Sequence, residues 1–201
     1  LLAKSSVDQV SVECAASGVD LGVLRSLAGK DVLLGAIDVG TDPPQPSRIY
    51  AAIWEHYSTP TAWVAGGLNS GIWQSLNGGD TWTRLAGGLP ASAANVGRIG
   101  LALAASSPQI VYAAYMDDPG ELMGIYKTTN SGVSWSKQNA SGARQATGGF
   151  GDYTGQIRVD PANPNRVYLL DAYWARSEDG GVTWTTATTG IHVDHHDLVI
   201  L

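Results

Sequence analysis

Short apolar runs separated by turn residues recur along this chain at a regular spacing. Three turns organise them. Asp42-Pro43-Pro44-Gln45-Pro46-Ser47-Arg48-Ile49-Tyr50 matches Asp160-Pro161-Ala162-Asn163-Pro164-Asn165-Arg166-Val167-Tyr168 at a fixed offset of 118 (160 − 42), and Pro108-Gln109-Ile110-Val111-Tyr112 is a weaker middle copy. Before each turn lies an apolar run: Val32 to Thr41, Arg98 to Ala104 and Gln156 to Val159. After each comes a β-branched and aromatic run, at 48–54, 109–115 and 166–172. A Pro-rich turn feeding such a run marks entry into a strand.

A third run follows in each unit: Gly71-Ile72-Trp73-Gln74, Gly124-Ile125-Tyr126-Lys127 and Tyr173-Trp174-Ala175-Arg176. It leads into an octapeptide that also recurs. Ser75-Leu76-Asn77-Gly78-Gly79-Asp80-Thr81-Trp82 returns as Thr128-Thr129-Asn130-Ser131-Gly132-Val133-Ser134-Trp135 and as Ser177-Glu178-Asp179-Gly180-Gly181-Val182-Thr183-Trp184. The shared positions are the hydroxyls of Ser75, Thr128 and Ser177, the Asn or Asp at Asn77, Asn130 and Asp179, the glycines Gly79, Gly132 and Gly181, and the indoles Trp82, Trp135 and Trp184. The indoles fall 53 and 49 positions apart (135 − 82 and 184 − 135), a period that signals a repeat architecture. In each copy an Asn or Asp can accept backbone N–H groups, a glycine can supply a positive φ, and an indole can pack beneath the hairpin.

With a fourth run after each octapeptide (81–86, 134–138, 183–188), every unit reads as four antiparallel strands, the description of a β-propeller blade. The expected fold is all-β: one partial propeller domain over 1–201, with blades at 35–86, 98–139 and 155–188. Residues 1–34 read as the tail of a preceding blade and 195–201 as the first strand of the next. Three blades fall short of a ring of roughly four to eight. The chain therefore reads as a piece of a longer protein, partnered by the remaining blades of its parent.

Composition supports this picture and removes some functions. The 201 residues include 25 Gly, seven Trp and eight Tyr but one Phe, which suits tight turns and short strands. A net charge of −6 argues against a nucleic-acid surface. The single Cys14 excludes an internal disulfide, no run of about 18 apolar residues could span a membrane, and Leu1-Leu2-Ala3 is too short for a signal peptide's apolar region.

The three octapeptides resemble Asp-box repeats, also called BNR repeats, over about residues 35–201. Such repeats occur in sialidases, xyloglucan-degrading glycoside hydrolases, sortilin-type receptors and many secreted bacterial propellers. The segment around His196-Asp197-Leu198 also resembles the start of an inner strand in glycoside-hydrolase-like members. The resemblance implies a secreted, extracellular or periplasmic, carbohydrate-active propeller that acts on or binds polysaccharide. It equally allows a non-catalytic propeller that binds a protein or other ligand, as in the sortilin-like group. The sialidase Arg-Ile-Pro motif is absent, and no cofactor is implied.

Strand direction separates two ends. The Pro turns and octapeptides share one, while the longer, unequal connections (55–70, 87–97, 140–154 and 189–195) share the other, where binding residues concentrate. Candidates for substrate contact there are His56, Trp63, Arg144, Tyr153, His192, His195 and His196, beside Glu55 and Tyr57. Glycoside hydrolysis needs two carboxyl groups flanking the bond. Asp38 and Asp197 hold equivalent inner-strand places on different blades and form one candidate pair; Asp152 and Asp194 form the other. In an extended stretch His192, Asp194 and His196 point one way, which would suit a cation, although they span about 13 Å. Channel-side hydrogen bonding and structural packing are the other roles open to this cluster.

Overall fold

The computed structural model describes residues 9–14, 31–36, 48–187, 190 and 192–200. Apart from a short 3-10 turn at Ala143–Ala146, its elements are strands: Gln9–Cys14 (β1), Asp31–Ala36 (β2), Ile49–Ile53 (β3), Tyr57–Thr59 (β4), Ala62–Val64 (β5), Gly71–Ser75 (β6), Thr83–Arg84 (β7), Val96–Leu103 (β8), Val111–Asp117 (β9), Leu122–Thr128 (β10), Ser136–Lys137 (β11), Gln156–Val159 (β12), Val167–Leu170 (β13), Trp174–Ser177 (β14) and Thr185–Ala187 (β15). Two sheets have four antiparallel strands in sequence order, β8-β9-β10-β11 and β12-β13-β14-β15. A three-stranded sheet, β3-β6-β7, precedes them in the chain and is counted as the first sheet, with β8–β11 the second and β12–β15 the third. The chain is a partial, unclosed β-propeller. Among the described residues no helix is long and apolar enough to cross a membrane.

The hydrophobic pattern explains the stacking of the sheets. Strand β9 begins Val-Tyr-Ala-Ala-Tyr-Met, and these six residues before Asp117 are all buried. Because side chains alternate across a strand, Val111, Ala113 and Tyr115 enter the core shared with the first sheet. Tyr112, Ala114 and Met116 enter the core shared with the third. Small residues on β8 allow close approach: a side chain at Gly100 would meet the backbone of Ile157 and Gln156 at about 3.2–3.3 Å. Polar links seal the same junctions. Tyr112 donates its hydroxyl proton to Pro164 O (2.8 Å), Gln74 Nε2 donates to Ser131 O (2.9 Å), and Trp184 Nε1 donates to Asn139 O (3.0 Å).

Each octapeptide closes one hairpin by the same bonds. The first hydroxyl donates to the Asn or Asp two residues on and accepts the N–H of the glycine four residues on, at 2.8 Å for Gly79 and Gly181 and 2.9 Å for Gly132. The Asn or Asp Oδ1 then accepts the N–H of Thr81, Ser134 or Thr183 at 2.9–3.0 Å. The turn needs two consecutive left-handed residues, with φ of +71 and +102 at Gly78 and Gly79, for instance. That requirement accounts for glycine at the second position in all three copies.

The strands differ from expectation in places. Residues 81–82, 134–135 and 183–184 belong to the turns, so the outer strands shorten to 83–84, 136–137 and 185–187. The run expected to be the first blade's inner strand forms β2, which pairs in parallel with β1 from Gln9↔Asp31 to Cys14↔Ala36, not antiparallel with β3. Residues 195–200 form no strand; they lie beside the third sheet through the Asp194 and His195 N–H groups, which donate to Ala172 O and Asp171 O (both 3.0 Å). The connection 55–70 contains a hairpin, β4–β5, that periodicity over so few residues does not reveal.

The first hydroxyl of each octapeptide is buried and satisfies a glycine N–H. Ser177→Ala is expected to lower unfolding free energy by about 1–3 kcal/mol, measured by denaturant melts, because it orphans the Gly181 N–H. The carboxyl of Asp179 is held down to about 2, chiefly by the Thr183 hydroxyl and N–H and by the Ser177 hydroxyl. Its stabilising share is therefore present above the unfolded value of about 3.9 and is lost as pH falls toward 2. Asn77 and Asn130 hold the same turn uncharged, so Asp179→Asn should match the parent's melting temperature at neutral pH and drop less between pH 5 and 2. Identical acid profiles would show that the carboxylate contributes nothing.

Candidate functional site at the loop-bearing end

The antiparallel strand order puts the connections 54–70, 118–121, 138–155 and 171–173 at the end opposite the octapeptides. Most of the exposed aromatic rings lie there. The β4–β5 hairpin pairs Tyr57 with Val64, Ser58 with Trp63 and Thr59 with Ala62, and the Thr59 hydroxyl caps its turn by accepting the Ala62 N–H (2.9 Å). Alternation sets His56 and Trp63 on one side of this finger and Tyr57 on the other. The His56 ring lies 4.5 Å from Trp63 in an edge contact and 4.5 Å from Trp54 in a tilted one. Trp54 is fixed in turn by Nε1 donating to Ala65 O (2.7 Å). Trp63, braced from behind, remains 58% exposed.

Both ring nitrogens of His56 are buried without a hydrogen-bond partner. Burial pushes its pKa down, and the nearby Asp152 carboxylate opposes this in part. His56 is therefore a neutral packing group between the two indoles. In the 138–155 connection the Arg98 guanidinium donates to Tyr153 O (2.6 Å), and the ring of Tyr153 is 67% exposed. The His196 ring meets Tyr153 edge-on at 4.9 Å. Arg144 directs its guanidinium to the carbonyls of Leu122 and Met123, tying the 3-10 turn to β10.

The His-rich segment does not gather around one point. His192 Nδ1 is 2.7 Å from Val193 O, Asp194 adopts a left-handed φ of +70, and His195 is half-buried with an unpartnered Nε2. Among the described residues no three His, Cys, Asp or Glu side chains converge to hold a metal ion, so His192, Asp194 and His196 do not assemble the cation site that an extended stretch would suit. Asp197 pairs with Arg158 at 2.9 Å; the Leu198 N–H and this guanidinium hold its carboxyl below the usual range. Asp38 lies outside the described residues. Asp152 lies in the 138–155 connection and Asp194 on the segment that crosses the third sheet.

Sequence reasoning overlooked Asp171. Its side chain is 0% exposed. Oδ1 accepts from Ala172 N, Thr154 Oγ1 (3.2 Å) and Gly148 N (3.3 Å), while Oδ2 is buried with no partner. Burial pushes this carboxyl up, against its hydrogen bonds and with help from the Glu121 charge. The signal was in the repeat: Ile49 to Ile53 and Val111 to Tyr115 align with Val167 to Asp171, so an acid occupies a position that is apolar and buried in both other units.

No family model matches the chain, and no curated protein sequence matches it. Solved structures do. The crystal structure of an ancestral GH74 enzyme is similar over 78% of this chain and 20% of its own, at 17% identity and a TM-score of 0.52. YCF48 from Cyanidioschyzon merolae is similar over 73% of this chain and 35% of its own, at 14% identity and a TM-score of 0.42. The GH74 xyloglucanase from Xanthomonas campestris is similar over 71% of this chain and 22% of its own, at 14% identity and a TM-score of 0.43. The chain thus spans a fifth of the length of the first of these, and the likeness to it is one of fold.

The packing role of His56 has a measurable consequence. Its pKa is lowered on folding, so the unfolded chain binds more protons and stability declines as pH falls below about 6.5. His56→Phe keeps a ring between the two indoles and removes two unpaired buried nitrogens. It should melt at or above the parent's temperature at pH 7 and lose less on acidification to pH 5. A clear drop in melting temperature at pH 7 would mean that the imidazole nitrogens have partners after all.

Proposed function

We propose that this chain is the glycan-binding part of a secreted, carbohydrate-active Asp-box propeller, glycoside-hydrolase-like in build, with blades at 35–86, 98–139 and 155–188. The observation that carries the reading is Trp63, an indole left 58% exposed on a finger and held rigid by His56 and Trp54. A flat apolar face fixed in advance loses little entropy on binding and suits the C–H face of a sugar ring. Tyr153, on the 138–155 connection, offers a second exposed ring.

The charges favour a neutral glycan over an acidic one. At this end Arg84, Arg98 and Arg144 donate to main-chain carbonyls, and Arg158 pairs with Asp197. These guanidinium groups hold loops in place, whereas recognition of an anionic sugar calls for arginines aimed at the ligand. Among the carboxylates, Asp197 is held ionised and suits a base or nucleophile rather than a proton donor. Asp38 is its proposed partner on another blade.

Protein docking is the second reading, supported by the exposed Leu68 and Phe150 side chains at the same end, which sugar stacking does not require. Affinity electrophoresis against neutral and acidic polysaccharides, xyloglucan included, separates the two. Trp63→Ala is expected to weaken binding of a neutral polysaccharide by about tenfold or more, near 1.4 kcal/mol. Leu76→Ala, at the octapeptide end, should leave it unchanged. Absence of retardation by every polysaccharide would overturn the glycan reading and leave the docking one.

A further inference from the structure

Residues 192–197 cross the third sheet by contacts of several kinds. Successive N–H groups in a regular strand point to opposite sides. Here the N–H groups of Asp194 and His195 both turn to one element, donating to Ala172 O and Asp171 O, and Asp194 takes the left-handed φ of +70 as they do so. That conformation is uncommon outside glycine, although Asp tolerates it better than most residues. The segment is also held by the His196 ring against Tyr153 and by Asp197 on Arg158. It therefore lies on the backbone of a residue whose own side chain is anomalous: Asp171, fully buried, with three donors on Oδ1 and none on Oδ2.

A buried carboxylate with one unpaired oxygen is costly when ionised and tolerable when protonated. We propose that residues 192–197 form a pH-responsive strap, held on the third sheet while the Asp171 carboxyl is neutral and loosened when it ionises. The inference stands apart from the glycan reading, since it requires no ligand.

The groups that bear on Asp171 fix the sign. Burial and the Glu121 carboxylate raise its pKa, while the Ala172 and Gly148 N–H groups and the Thr154 hydroxyl lower it in part. His192, Asp194, His195, His196 and Asp197 are the titratable groups on the strap, and Arg158 is the charged group facing it from β12. Such a response requires the strap to add to the burial of this carboxyl, so that the docked pKa is the higher one; docking is then strongest near the free carboxyl value of about 4 and weakens as pH rises to the docked value. The Asp197–Arg158 pair acts in the opposite sense and loosens only as pH falls below about 4. Docking therefore peaks in mildly acid conditions.

Amide hydrogen exchange between pH 4 and 8, corrected for intrinsic rates, tests this at Asp194 and His195. Protection in the parent should fall by up to about tenfold per pH unit above pH 4 and then level off. Asp171→Asn, which keeps the acceptor and cannot ionise, should stay flat at the acid-pH level. A parent profile flat over the whole range, or an Asn variant that loses protection in step with the parent, overturns the proposal. The carboxyl carbon shift of Asp171 in the parent requires no variant. It should titrate well above pH 4, where protection levels off, and an ordinary midpoint near 4 also overturns the proposal.

Discussion

Strand β9 has no side facing water, and the arrangement of the other described sheets follows from that constraint. A strand buried on both faces must be covered by two neighbours, and Val111 through Met116 are covered by the first and third sheets. Neither four-stranded sheet could satisfy its apolar faces alone, as in other arrays whose units bury a core only by stacking. The alanines and glycines along β8 and β9 belong to the same requirement, because flat sheets approach closely only where side chains are small. Packing then dictates that hairpins turn at the two ends of the stack, one sealed and one open.

The sealed end was legible in the sequence because its chemistry is local. Each octapeptide closes on itself through bonds spanning two to four residues, so a hydroxyl, an Asn or Asp, a glycine and an indole in fixed order suffice to specify it. Strand order was legible for a related reason: short connections force antiparallel neighbours. Where specification is not local, the reading failed. The run at 31–36 has the right apolar character for an inner strand, yet which strand it pairs with is decided by distant residues, and it lies parallel to 9–14.

The open end was legible in its location and poorly legible in its chemistry. His56 in a loop reads as a substrate contact, but it packs between Trp54, which precedes the hairpin, and Trp63 on the hairpin's second strand, and the sequence does not announce that hairpin. Arg144 reads as a substrate contact, and its guanidinium meets carbonyls more than twenty positions earlier. Three histidines within five residues leave a cation site, channel-side hydrogen bonding and packing all open, whereas backbone bonds at Asp194 and His195 set the path of that segment and no three such side chains converge among the described residues. In the last two cases the deciding partner is about twenty positions away in the chain, and for His56 it is the fold of a short hairpin.

Asp171 reverses the lesson. It was invisible as chemistry because its neighbours are apolar, yet it stands out as the one acid at a position filled by Ile53 and Tyr115 in the other units. A repeat that keeps a position apolar twice and places a buried acid there the third time has departed from the rule that stabilises it. Such departures concentrate where function is built. The two carboxyls that frame the crossing segment are also pushed in opposite directions: Asp171 up by burial, Asp197 down by the Leu198 N–H and Arg158. Environments that drive two acids apart keep one protonated and the other ionised over a shared range of pH. The third unit is therefore where this scaffold differentiates, and its sister units supply the pattern against which the difference can be read.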